Sequence, residues 1–92
     1  MRVDLFLKSS RLILRRAVAK QLSDSGGITV NGLPAKASKE IKIGDEIGIR
    51  RGERVTRIRI IAIPPGKQVS KSAASTLFEI LSDERHSDPL LS

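Results

Sequence analysis

Six cations crowd the first twenty residues of this chain: Arg2, Lys8, Arg11, Arg15, Arg16 and Lys20. Guanidinium and ammonium groups at this density do one kind of chemistry well. They hold a polyanion by displacing its condensed counterions, and guanidinium forks take phosphate oxygens two at a time. The neighbouring apolar residues are ordinary aliphatics, so folding does not require the charges and a partner must account for them. Arg15 and Arg16 stand near the start of a predicted helix, where the dipole is positive and a cation is unfavourable. A phosphate bound there would meet guanidinium forks and free backbone N–H groups together. Asp4 is the one acid inside the cluster. It can cap the first helix or orient Arg2 or another arginine by an ion pair, or it can accept from a ribose 2′-OH or a base edge. Ser10 can bond a phosphate or simply end the helix. Asn31 and Lys36 are further candidates near a hairpin tip, with Lys39 just beyond.

Other chemistry is thin. There is no cysteine, which excludes a disulfide framework and the usual zinc ribbons. His86 has no Ser, Cys or metal-spaced partner, and Asp45-Glu46 lacks a second ligand pair, so no metal site and no cofactor are expected. A chain of 92 residues leaves little room for a deep catalytic cleft, and a binding protein is expected rather than an enzyme. The formal charge is +7, and its distribution is uneven. Residues 1–60 carry a balance of +8 and residues 61–92 one of −1, so the basic function belongs to the front. No apolar run approaches the ~18 residues that span a bilayer. The N-terminus lacks signal-peptide shape, so a cytoplasmic protein without a membrane partner is expected. Phe6 and Phe78 are the only aromatics. Readers of single-stranded RNA stack bases on aromatic platforms, so the composition favours structured RNA gripped by backbone and shape.

Positioning these cations requires few elements. Val3, Phe6 and Leu7 fall at i, i+3, i+4, one face of a short helix ending near Ser9-Ser10. Leu14, Val18 and Leu22 recur every four residues and predict a second helix from about Arg15 to Ser23, with Arg16 and Lys20 on its opposite face. Gly26-Gly27 stops it. Strands follow: I-T-V into the Asn31-Gly32 hairpin turn, a short strand from Leu33, I-K-I-G-D-E-I-G-I, and V-T-R-I-R-I-I-A-I. In the last, Arg57 and Arg59 share a half-exposed face. Ala74, Leu77, Phe78 and Leu81, at i, i+3, i+4, i+7, predict a C-terminal helix. Its stripe either packs on the domain or docks a protein partner.

The runs R-V-D-x-F-L, S-R-x-x-x-R-R-x-x-A-K, I-T-V-N-G, K-A-S and I-G-D-E-I resemble the S-four RNA-binding domain, over residues 1 to about 50. The resemblance extends to the RqcP-type family of bacterial ribosome quality control and its relatives among small heat-shock proteins. It implies an α+β fold of two short N-terminal helices on a small, bent, mostly antiparallel sheet, the αL motif, with the C-terminal helix added. The expected organisation is a domain over 1–63, a linker over 64–72, a helix over 73–85 and a flexible tail over 86–92. It further implies a non-enzymatic, RNA-binding factor on large ribosomal subunits obstructed by peptidyl-tRNA. There it would contact ribosomal RNA and tRNA, support template-free tailing of the stalled chain beside an elongation factor, and be a monomer off the ribosome. The competing readings are a general structured-RNA or ribosome-assembly protein, a targeting arm for an RNA-modifying enzyme, and an adaptor working through its C-terminal helix. Three positions depart from the family pattern. Leu14-Arg15 stands where Ser or Thr often precedes the second helix, Ile43 replaces a proline before Gly-Asp, and Leu5 is apolar.

Overall fold

In the computed structural model, which describes residues 1–64 and 69–85, two helices precede a single antiparallel sheet. Helix α1 spans Val3–Ser9 and α2 spans Arg16–Asp24. Strands β1 (Ile28–Val30), β2 (Leu33–Pro34), β3 (Glu46–Arg51) and β4 (Arg54–Ile60) follow, then a one-turn helix α3 (Lys71–Ala74) and β5 (Phe78–Arg85). The sheet order is β2-β1-β3-β4-β5. The expected α+β class, with two N-terminal helices packed on an antiparallel sheet, is what the chain adopts.

Val3, Phe6 and Leu7 are buried on α1 as their spacing requires. They meet Ala19 of α2 and the alternating inward residues Ile28, Val30, Ile47, Ile49, Ile58 and Ile60 of the sheet. The first-turn amides of α1 find backbone acceptors: Val3 donates to the Lys39 carbonyl at 2.8 Å and Asp4 to that of Ala37 at 3.2 Å. The segment after β2 is thereby stapled to the N-terminus.

Between α2 and β1 two adjacent glycines serve different needs. Gly26 takes φ +81°, which ends the helix. A Cβ on Gly27 would stand 2.9 Å from the Arg50 carbonyl oxygen and 3.1 Å from that of Leu22, because β3 passes directly beneath. Asn31-Gly32 forms the expected tight turn, with φ of 53° and 83°.

Two expectations are corrected. Leu14 does not join the buried face of α2: it precedes the helix and is 68% exposed, while Ala19 and Ser23 are buried in its place. The helix expected over 73–85 is not formed either. Ser70 caps α3 by accepting from the Ala73 amide at 3.2 Å, but the turn closes at Thr76 and Leu77, and Phe78 begins a strand. Phe78 and Ile80 pair with Ile60 and Ile58. A register shift at Arg57/Ile58 makes Leu81 the extra residue of a bulge, so the helical spacing of the stripe was coincidental. Without β5, strand β4 would present an unpaired edge of backbone donors and acceptors. Pairing supplies those partners along the whole length of β4. The expected tail over 86–92, including His86, and residues 65–68 of the expected linker lie outside the described residues.

Candidate nucleic-acid interface

The organising group of the basic surface is Asp4. It is 3% exposed, yet its Oδ2 receives Arg16 Nη2 at 3.1 Å and Arg2 Nη2 at 3.2 Å. Its Oδ1 accepts the Leu5 amide at 2.8 Å. Arg2 immediately precedes α1, and Arg16 is the first residue of α2. A single buried carboxylate therefore fixes one arginine from each helix side by side, with about half of each side chain still open to solvent. Each guanidinium keeps donors beyond those given to Asp4, and two cations against one anion leave a net positive site. Of the roles open to Asp4 from sequence, the structure shows two: it orients Arg2 and Arg16, and it satisfies a first-turn amide of α1.

Helix α2 begins at N-cap Arg15 without any side-chain cap, the consequence of having Leu14-Arg15 where Ser or Thr is usual. The Arg15 carbonyl accepts from Val18 and Ala19. Arg15 and Arg16 thus stand at a helix start that the N-cap side chain leaves uncapped, and Lys20 lies one turn further along the same helix. Lys8 is exposed in the last turn of α1. Arg11, just past the end of α1, is exposed and held at φ 60°, the left-handed region that a bulky residue rarely enters. Six of the ten candidates, Arg2, Lys8, Arg11, Arg15, Arg16 and Lys20, are thus exposed cations on or beside α1 and α2, and Asp4 anchors two of them, Arg2 and Arg16.

The other three are placed differently. Ser10 is 4% exposed and its hydroxyl donates to the Leu7 carbonyl at 3.2 Å, so it closes the end of α1 from inside. Asn31 uses both ends of its amide within the fold, donating to Asp45 Oδ1 at 3.1 Å and accepting from the Glu46 amide at 3.0 Å. Lys36 is exposed and lines, with Asn31 and Lys39, a separate depression beside the β1–β2 hairpin. Arg57 is ion-paired with Glu46, and Arg59 lies opposite Glu46 and Glu79 in the sheet. Acids thus stand beside both arginines of that strand face. At the far end of the β3–β4 hairpin, Asp83 binds Arg54 at 2.8 and 2.5 Å and Thr56 at 3.0 Å. The Arg54 hydrogen bonds, with help from Thr56, hold the Asp83 carboxyl down at about 2.

Sequence reading missed Arg51. It lines a cleft with Arg11, Arg15 and Leu14, although it lies 36 residues beyond Arg15 in the chain. The Arg50-Arg51 doublet before a glycine turn was the available signal. No cluster of three or more metal-ligating side chains occurs among the described residues. Among the same residues, no helix is long and apolar enough to cross a membrane.

Comparison with known proteins identifies the family and agrees with the fold. The family model for the S4 domain matches residues 1–47. The chain is 46% identical over 84 residues to the RQC P-site tRNA stabilizing factor of Halalkalibacterium halodurans, covering 91% of this chain and 93% of that protein. It is 40% identical over 85 residues to the Bacillus subtilis protein of the same name, covering 92% and 96%. Among solved structures it superposes on Heat Shock Protein 15 of Vibrio cholerae, described as trimeric, with a TM-score of 0.79. That match has 28% identity and covers 89% of this chain and 82% of the other.

Proposed function

This chain belongs to the S4 domain family, and from that premise we propose that it is an RNA-binding factor of ribosome quality control that steadies tRNA on an obstructed large ribosomal subunit. The observation that carries the proposal is the buried Asp4 with Arg2 and Arg16 on one oxygen, because it converts two flexible cations into a fixed pair of phosphate donors. Relatives that align over nine-tenths of this chain bear the name RQC P-site tRNA stabilizing factor, which supports the choice of tRNA as a partner. Ribosomal RNA is the second polyanion within reach of a compact molecule on that particle. Its basic surface faces the nucleic acid with Arg2, Lys8, Arg11, Arg15, Arg16 and Lys20, and Lys36 extends the contact from the hairpin side. The role of the protein is positional: it binds and orients without bond chemistry of its own.

In this reading the factor works in the cytoplasm, is a monomer away from the ribosome, and supports tailing of the stalled chain next to a separate elongation factor. An adaptor acting through a free C-terminal helix loses its basis, since residues 78–85 are built into the sheet as β5. Co-sedimentation with purified large subunits, with and without trapped peptidyl-tRNA, tests the proposal. Retention that rises with peptidyl-tRNA is the expected result. Equal retention with and without it would remove tRNA from the mechanism, and no retention would remove the ribosome.

A further inference from the structure

One feature of the basic surface is not electrostatic. Between the α1–α2 loop and β3 lies a cleft of about 340 Å³, at the small end of the range for ligand sites. Much of its lining is aliphatic: Ile13 is buried, Leu12 and Val18 are half-buried, and Leu14 is 68% exposed. Its rim carries Arg11, Arg15 and Arg51. None of these three has an ion-pair partner among the described residues. Leu14 contributes little to the core at that exposure, and water gains nothing from it. Arg11 is kept in a left-handed backbone conformation that a glycine would occupy with less strain. Arg51 stands directly opposite Arg54 across the hairpin end, and Asp83 engages Arg54, so Arg51 is the member of that pair without an ion-pair partner among the described residues. Three cations without an ion-pair partner among the described residues therefore surround one apolar spot, one of them in a strained backbone conformation.

We propose that this cleft takes a single unpaired, unstacked nucleotide of the bound RNA. Its base would rest against Leu14, and Arg11, Arg15 and Arg51 would engage its face and flanking phosphates. The inference rests on the RNA-binding reading above and adds to it a recognition element that duplex RNA cannot satisfy. A base turned out of its helix offers a flat, largely apolar face next to two phosphates, and guanidinium planes can stack on it where aromatics are lacking. Aromatics are lacking here, because Phe6 is fully buried in the core and Phe78 packs against it. An acidic peptide would satisfy the cations but would leave Leu14 in contact with water or carboxylates. A duplex backbone would satisfy the cations and leave the aliphatic lining of the cleft uncovered.

The test uses the full chain on purified large ribosomal subunits with a photo-crosslinking amino acid, p-benzoylphenylalanine, at position 14 in one variant and position 20 in another. Adducts from position 14 are expected on one or a few unpaired nucleotides. Adducts on a ribosomal protein, on continuous duplex, or on nothing while position 20 still marks RNA would overturn the cleft and leave RNA binding standing. Silence at both positions would instead count against RNA binding itself, and the cleft would fall with it. In parallel, Leu14→Ser is expected to weaken binding about tenfold while leaving the salt dependence unchanged, and Leu14→Met to bind as the wild type does. Unaltered affinity in Leu14→Ser would refute a contact at that side chain.

Discussion

Replacing Asp4 with asparagine sets two physical accounts of the basic surface against each other, because they disagree on the sign of the effect. If Arg2 and Arg16 acted only as charges, removing the nearby anion would help. A unit charge roughly 8 Å from a phosphate in near-aqueous surroundings is worth about 0.5 kcal/mol of repulsion, so affinity would rise about twofold. If the carboxylate instead pre-orders the two guanidiniums, as their 3.1 and 3.2 Å contacts with one buried oxygen indicate, its loss frees both side chains. Re-immobilising them on RNA costs about 0.5–1.5 kcal/mol each. The sum, about 1–3 kcal/mol, exceeds the electrostatic gain, and binding to large subunits should weaken by about tenfold. Stability should move less. The desolvation of Asp4 and its attraction to two half-exposed arginines oppose each other, and the melting transition should shift by no more than about 1–2 kcal/mol. Equilibrium binding of Asp4→Asn to purified large subunits at fixed salt, alongside a thermal melt, decides the matter. Equal or tighter binding by a folded Asp4→Asn protein would refute pre-organisation and return the surface to a diffuse cloud of charge.

Four further outcomes follow from the same structure. With about six cations engaged, log affinity should fall against log salt with a slope of roughly −4 to −5, and Lys20→Glu, on the exposed face of α2, should flatten it while the melt stays nearly unchanged; a wild-type slope near zero would dismiss the electrostatic grip. Arg11→Gly relieves the φ of 60° and should raise stability by up to about 1 kcal/mol in a denaturant melt while weakening RNA binding. Gly27→Ala pushes a Cβ against the Arg50 and Leu22 carbonyls, and should cost about 2–3 kcal/mol of stability, read from the same melts. The fourth concerns pH. Arg54 and Thr56 depress the Asp83 carboxyl from 3.8 to about 2, so the folded chain holds it ionised where the unfolded chain would take up a proton. That contribution is whole above 3.8 and fades as pH falls toward about 2. Wild type should melt above Asp83→Asn near neutrality, with the gap closing through that acid window; a gap independent of pH would mean the pair is not the source.

What could be read from residues alone divides along the range of the forces involved. Helix α1 was legible because Val3, Phe6 and Leu7 bury on one face within two turns, and the Asn31-Gly32 turn because its backbone angles suit few other residue pairs. The cations were legible as a group, since charge density needs no tertiary information. Their geometry was not. Nothing in the spacing of Asp4 and Arg16 states that the loop between them folds back to 3.1 Å, and Arg51 reaches the same surface only through the pairing of β3 with β1. Ser10 and Asn31 each offered a structural reading beside the RNA-binding one, and the structural one holds: Ser10 donates to the Leu7 carbonyl, and the Asn31 amide bonds Asp45 and Glu46.

The C-terminal segment shows why a clean local signal can mislead. Ala74, Leu77, Phe78 and Leu81 satisfy a helical stripe, and an isolated segment with that pattern would bury one face against any flat partner. The stripe competes, however, with a demand it cannot register: β4 carries seven residues, Arg54–Ile60, and β3 satisfies only one of its two edges. A helix laid across the sheet would cover apolar surface and leave that second edge open. A strand covers part of the same surface, with Phe78 and Ile80 paired to Ile60 and Ile58, and closes the edge as well. It also brings Asp83 to Arg54 and Thr56. The bulge at Leu81 is the price of this arrangement, because it leaves that apolar side chain without a cross-strand partner. A segment's own periodicity decides its structure only when no neighbouring edge is left unsatisfied, and here β4 outweighed the stripe.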